Sequence, residues 1–343
     1  MDTTDIRILS AGSALPGPPV GNAALARRFH MDATWETWVN VFIGTHTRHL
    51  AVDLDSGEIT SSLADLGETA ARRALERGGL DAAEIDLMVL ATATPDALMP
   101  ATVNVIADRL GIDGVPTYQL QSGCAGAVQA LDVARSLLTS GDARTALVIG
   151  GDSCAKHFDL GADLTRLSPA ELVNVVLFGD GAGAVVLTSR PARDTVALRR
   201  VLNRLTGRGR PPGQVVEWYG RADRHPGRPA VTEDYKAVEE SVPLLAAEIL
   251  KELLDDLGWS AVDVDYLLPP QLSGTMTARI VAGLNLPAAE EITCVRQTGN
   301  TGNALPFLQL ERALAEMTTG DRALGIAVES SKWIKAGFAL EKV

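Results

Sequence analysis

Short apolar runs alternate along the chain with longer segments in which apolar residues recur at helical spacing. "IRILSAG" predicts a first strand ended by glycine, and "LADLGETAARRALERGGL" an amphipathic helix closed by Gly78 and Gly79. "IDLMVLATAT" reads as a buried strand, "ATVNVIADRLGI" as a helix and "TYQLQSGC" as a short strand. The helix "AGAVQALDVARSLLTSG" and the strand "TALVIGGDS" follow. Such alternation predicts a layered α/β protein with helices covering a sheet.

Beyond "LFGDGAGAVVLTS", at 177–189, the pattern partly repeats. "RLTGRGRPPGQVVEWYGRADRHPGRP", rich in Gly, Pro and Arg, reads as loop. Next come a long helix, "YKAVEESVPLLAAEILKELLDDLG", a strand, "VDYLLPP", and a helix opening near Met276. "QTGNTGNALPFLQLERALAEM" is a polar glycine turn entering a helix, and "RALGIAVE" and "AGFALEKV" read as closing strands. Both halves share the order strand, helix, strand, glycine turn, helix, without a residue-level repeat. They are placed at 1–188 and 189–343.

At 343 residues the chain exceeds the usual single-domain size and predicts two domains or one two-lobed fold. Apolar residues at 46% and charged ones at 22% describe a globular protein with a substantial core. A net charge of −12 argues against nucleic acid and anionic membrane as partners. The three cysteines, Cys124, Cys154 and Cys294, lie far apart; they form neither a disulfide framework nor metal-ligand spacing, so no metal is expected. No secretory pattern opens the sequence, and no apolar run reaches the roughly 18 residues of a membrane span. These features predict a soluble, cytoplasmic protein.

Cys124 falls where a predicted strand turns into a predicted helix. A thiol there faces the unpaired N–H groups of the first helical turn, and the helix dipole favours negative charge. Both effects lower a thiol pKa, which predicts a thiolate nucleophile. Gly123 and Gly126 are expected to leave room for an approaching substrate. The alternative is a small buried hydrophobe, the usual state of a free cysteine.

Several segments, in order and over most of the chain, resemble the ketoacyl-ACP synthase III branch of the thiolase superfamily. They are "ETAARRALERGGLDAAEIDLMVLATATPD", "QLQSGCAGAVQALDVARSLLTSGDARTALVIGGD", "LFGDGAGAVVL", "GNTGNALPFLQLERAL" and "GDRALGIAVESSKW". The resemblance implies a thiolase-like five-layered αβαβα fold of two similar halves, and a homodimer. It implies that Cys124 accepts an acyl group from a CoA or acyl-carrier-protein thioester, with Asn300 of "GNT" as a second catalytic residue. The backbone amides of Cys124 and Ser330 would be the oxyanion donors. No permanently bound cofactor is implied; the phosphopantetheine thioester arrives as substrate. Trp38 matches the aromatic residue that stacks the adenine of CoA. Phe42 stands where an arginine is usual, which favours a carrier protein as donor. The arginine-rich loop 204–228 is a candidate surface for an acidic carrier helix.

The resemblance also carries two departures. The family's histidine opens an "HQ" pair, whereas the matching segment here is "LLPPQLSG", with Pro270 in its place and no histidine after His225. Proline neither donates nor accepts a proton, and losing one such donor costs on the order of 10²–10³ in rate. Decarboxylative Claisen condensation is therefore not expected, while acylation of the cysteine is less affected. The closing loop, glycine-rich in the family, reads "AVESSKWIKAG". Glu329 is a candidate general base toward an alcohol or amine acceptor if it is buried with a raised pKa; otherwise it faces solvent or pairs with Lys332 or Lys335. His157 follows a strand end near the family's substrate tunnel and is the candidate histidine for substrate binding, ahead of His46 and His49. "FGDGAGA" lacks the ending of a phosphate-binding loop and reads as a tightly packed turn.

The leading expectation is an acyltransferase of specialised-metabolite biosynthesis that loads Cys124 and passes the acyl group to a hydroxyl, amine or carbon nucleophile. A condensing enzyme making a C–C bond by a Claisen-type reaction is the first alternative. A catalytically reduced partner protein is the second.

Overall fold

The computed structural model describes residues 5–167, 169–192, 194–218 and 231–343. Residues 219–228 of the arginine-rich loop, His225 among them, lie outside these. A ten-stranded sheet runs through the molecule. From one edge, its first five strands are Glu290–Glu291, Tyr266–Leu268, Arg322–Glu329, Ile334–Lys342 and Val196–Leu205. The other five are Arg7–Ala14, Gly181–Thr188, Thr145–Asp152, Leu87–Thr92 and Thr117–Gln121. From each edge inward, two parallel pairings are followed by two antiparallel ones. The two sets join where Arg7 pairs with Ala197 and Ile8 with Val196.

Helices cover this sheet in three layers. Helices Leu63–Gly78 and Thr102–Leu110 bury Ala70, Ala74 and Ile106 against Leu90, Leu147 and Ala184. Helices Tyr235–Leu257 and Gly274–Leu284 bury Ile249, Leu253 and Ile280 against Leu267, Leu324 and Ala339. Between the two sets of strands lie the cysteine helix, Gly126–Ser140, and the asparagine helix, Leu305–Glu316. Their Val128, Leu131, Phe307 and Leu310 share one core with Val89, Val148 and Val185 from one set of strands and Ala327, Ala336 and Phe338 from the other. This is the five-layered αβαβα fold expected from the sequence.

Local chemistry accounts for the element ends. In the helix Leu63–Gly78, Ser62 and Asp65 cap each other's backbone N–H, and Gly79 closes the helix in the left-handed region at φ 62°. In "FGDGAGA", Asp180 accepts from the backbone N–H of Ala51 at 2.6 Å and of Ala155 at 2.9 Å. Burial pushes its carboxyl up to about 6. A Cβ at Gly183 would lie 2.5 Å from Phe307 Cβ, so the motif is a packing turn, as read.

Several elements were not anticipated, the helices Asn22–Arg28, Ala33–Trp38 and Pro169–Leu177 among them. The strand Val196–Leu205 carries Arg199, Arg200 and Arg204, which mask its apolar pattern; they pair with Asp5 and Glu341, Asp256, and Glu252 respectively. Within the segment read as loop, Gln214–Val216 forms an antiparallel pair with Val231–Glu233. Among the described residues no helix is long and apolar enough to cross a membrane.

Candidate active site

The edge strand Thr117–Gln121 delivers the chain to Cys124, just ahead of the cysteine helix. Cys124 is partly buried and lines a cavity of about 370 Å³ whose walls are mostly apolar, Phe29, Phe158, Leu167, Val175 and Phe178 among them. It also lines a second, smaller cavity of about 20 Å³ together with Pro270 and Asn300. Cys124, Asn300 and the proline in the histidine's expected place are therefore neighbours. His157 lines the larger cavity with Cys124. Trp38 is not brought to the cysteine; with Phe42, Glu233 and Tyr235 it lines a separate, open pocket. Ser330 lies in the turn after the strand Arg322–Glu329, and its carbonyl accepts from Gly213 N–H at 3.0 Å.

A buried hydrogen-bond knot holds these residues. Asp152, at the end of its strand, accepts through one oxygen from Thr92 Oγ1, Ala93 N, Thr94 N and Thr94 Oγ1. Its other oxygen accepts from Asn303 N at 2.8 Å and Asn303 Nδ2 at 2.9 Å. Asn303 Nδ2 also donates to Ser122 O, tying the cysteine loop to the asparagine turn. Asn300 Oδ1 accepts from Gly302 N at 3.0 Å. Gly302 has φ 55°, and a Cβ there would lie 2.2 Å from Asp152 Oδ2, so only glycine fits.

Pro270 is fixed from both flanks. Gln309 Nε2 donates to Pro269 O at 3.0 Å, and Gln271 Oε1 accepts from Cys294 N at 2.6 Å and Val295 N at 2.9 Å. Asp152, Asn303, Gln271 and Gln309 escaped the sequence reading. The doubled asparagine in "GNTGN" and the glutamine kept after Pro270 were the available signals.

Glu329 neither faces solvent nor pairs with a lysine. Lys335 bonds Glu248 and Glu252, and Lys332 donates to Arg210 O. The Glu329 side chain is buried, 4% exposed, and turned toward the cysteine loop. Its Oε2 accepts from Ala125 N at 3.3 Å and Ser122 Oγ at 3.4 Å, and its Oε1 from Ser331 Oγ. A Cβ at Gly123 would lie 2.6 Å from Glu329 Oε1, and one at Gly126 would lie 2.4 Å from Asn303 Oδ1. The space at both glycines is thus filled by protein groups rather than left for substrate, a correction to the sequence reading. Burial raises the Glu329 carboxyl above its ordinary value despite its three donors.

The expected thiolate is also corrected. Burial, then the carboxylates of Glu329, Asp152 and Glu233, hold the Cys124 thiol well above its ordinary value. A backbone hydrogen bond at Cys124 acts the other way and is outweighed. The resting site is a thiol that needs a base. Burial and nearby Lys156 lower the pKa of His157, keeping its ring neutral, and the ring meets Trp218 edge-on at 6.3 Å.

The family model of 3-oxoacyl-[acyl-carrier-protein (ACP)] synthase III matches residues 118–201, and that of its C-terminal part matches residues 254–330. The β-ketoacyl-[acyl-carrier-protein] synthase III of Neisseria meningitidis serogroup B is 32% identical over 315 residues, covering 90% of each chain. The chain belongs to the 3-oxoacyl-[acyl-carrier-protein] synthase III family. This synthase III homologue is 34% identical over 323 residues to β-ketoacyl-[acyl-carrier-protein] synthase III 3 of Streptomyces coelicolor, covering 91% of this chain and 90% of that one. A tetronic acid condensing enzyme of solved structure is similar to it at a TM-score of 0.95 and 63% identity, covering 98% of this chain and 99% of the other. The priming β-ketosynthase of the R1128 polyketide pathway is similar at 0.81 and 28% identity, covering 98% and 96%.

Proposed function

We propose that this synthase III homologue is a condensing enzyme of the tetronic acid type. An acyl group is loaded from a thioester onto Cys124 and passed to a carbon already acidified by two flanking carbonyls. The observation that carries the reading is Pro270 beside Cys124 and Asn300 in one small cavity, in a chain 63% identical to a tetronic acid condensing enzyme. Decarboxylating a malonyl thioester leaves an enolate that needs donors, and a proline supplies none. A carbon between two carbonyls forms its enolate by losing a proton and needs no decarboxylation. A tetronic acid is a five-membered lactone with an enolised dicarbonyl, so its ring requires one carbon–carbon bond and one ester bond. The carbon and hydroxyl acceptors left open by the sequence are then two ends of one ring closure.

In this reading, residues 1–188 supply the nucleophile and residues 189–343 supply Asn300. The amides of Cys124 and Ser330 hold the oxyanion. The pocket of Trp38 and Phe42 receives the phosphopantetheine arm of a carrier protein or CoA. The large apolar cavity shared by Cys124 and His157 takes the acyl chain. Retention of Cys124 and Asn300 in one cavity supports turnover over a noncatalytic partner role.

Intact-protein mass spectrometry of wild type and Cys124→Ala with CoA and carrier-protein thioesters tests this. An adduct on wild type alone, discharged by a β-ketoacyl thioester and not by a malonyl thioester, is expected. An equal adduct on both proteins, or one that no carbon acceptor discharges, overturns the reading.

A further inference from the structure

We infer that Glu329 is the proton acceptor of both half-reactions at Cys124, in place of the missing histidine. The inference rests on the acyl-enzyme reading and deepens it. Glu329 is bracketed on the nucleophile: its carboxylate occupies the space of the absent Gly123 side chain and accepts from the N–H of Ala125, the residues before and after Cys124. Its donors leave lone pairs free, because Oε1 accepts from Ser331 Oγ alone and both contacts to Oε2 are long, at 3.3 and 3.4 Å.

Besides Glu329, the carboxylates that act on the thiol are Asp152 and Glu233, and the neutral His157 shares its larger cavity. Of these groups, Glu329 accepts from the backbone N–H next to Cys124. Asp152 spends its lone pairs on six protein donors. Glu233 lines the separate pocket of Trp38 and is bonded by Asn174, with its Oε2 unpartnered among the described residues. Pro270 has no base to offer. Burial first, and then the charge of Asp152, raises the Glu329 carboxyl's affinity for a proton.

In the first half-reaction, Glu329 takes the Cys124 S–H proton as sulfur attacks the donor thioester. It returns that proton to the departing carrier thiolate. In the second, it takes the acidic C–H proton of the acceptor as that bond's electron pair becomes the enolate. The enolate carbon bonds to the acyl carbonyl, the S–C bond breaks, and the Cys124 thiolate leaves with the pair and regains the proton from Glu329. The carboxylate is regenerated each time and no co-reactant is consumed.

The test is the pH–rate profile of Cys124 loading, followed by mass, for wild type, Glu329→Gln and Glu329→Asp, with melting temperatures measured alongside. Gln keeps an acceptor for Ala125 N and fills the same space, so the fold is retained. Loading is expected to fall about 100-fold near neutral pH in Glu329→Gln. The limb on which wild-type activity rises with pH should vanish there and reappear, at a lower rate, in Glu329→Asp. A folded Glu329→Gln that loads at the wild-type rate, or more slowly but with the same rising limb, overturns the base role and leaves the acyl-enzyme standing. Wild type that takes no acyl group from any thioester overturns both.

Discussion

Pro270 determines what Cys124 can use as a partner, because a ring without donor or acceptor lines the cavity it shares with the thiol and Asn300. Replacing it by histidine supplies the missing donor without touching the nucleophile. Pro270→His is expected to raise decarboxylation of a malonyl thioester about tenfold or more, read as carbon dioxide release; an unchanged rate in a folded variant would mean that Pro270 does not hold the histidine's position. The nucleophile and the asparagine were legible in the sequence because each sits in a compact motif, "SGCAG" and "GNTGN". The environment of the thiol was not. Its raised pKa comes from burial and from Glu329, Asp152 and Glu233, groups distant in sequence, whereas the neighbouring residues point to the helix terminus alone. The direction of the Glu329 side chain likewise depends on a cavity opened by Gly123, which no local pattern encodes.

The turn from Asn300 to Ala304 is the element that turns the asparagine helix toward the cysteine loop. It works because Gly302 accepts a left-handed conformation in direct contact with Asp152. Gly302→Ala adds both backbone strain and a clash, and is expected to lower unfolding stability by about 2 kcal/mol or more, measured by chemical denaturation. A variant as stable as wild type would show that the turn can relax. Regular elements with clear periodicity, such as Leu63–Gly78 and Tyr235–Leu257, were readable from spacing and caps. Val196–Leu205 was not, because three arginines paired across the sheet and to a neighbouring helix interrupt its apolar pattern. The pair Gln214–Val216 and Val231–Glu233 is too short, and too closely flanked by proline and glycine, to register as strand.

For the whole molecule, buried carboxyls link stability to pH. Asp180 titrates near 3.8 when unfolded and near 6 when folded, so the folded protein binds this proton more tightly. The stabilisation is complete below the unfolded value and is lost as pH rises through about 6. Moving from about pH 7 to about pH 5 should therefore favour wild type over Asp180→Asn by on the order of 1 kcal/mol in urea denaturation. A change of the opposite sign would mean that the backbone donors of Ala51 and Ala155 outweigh burial. The layered architecture itself was legible, since alternating strands and helices and the family motifs span both halves. One contact in it has a consequence for biosynthesis: Ala125 and Glu329 meet across 204 residues. A ribosome extrudes the cysteine helix long before it makes the closing strands. The carboxylate that faces the cysteine loop is therefore missing from the site until the strand Arg322–Glu329 has been made and has docked.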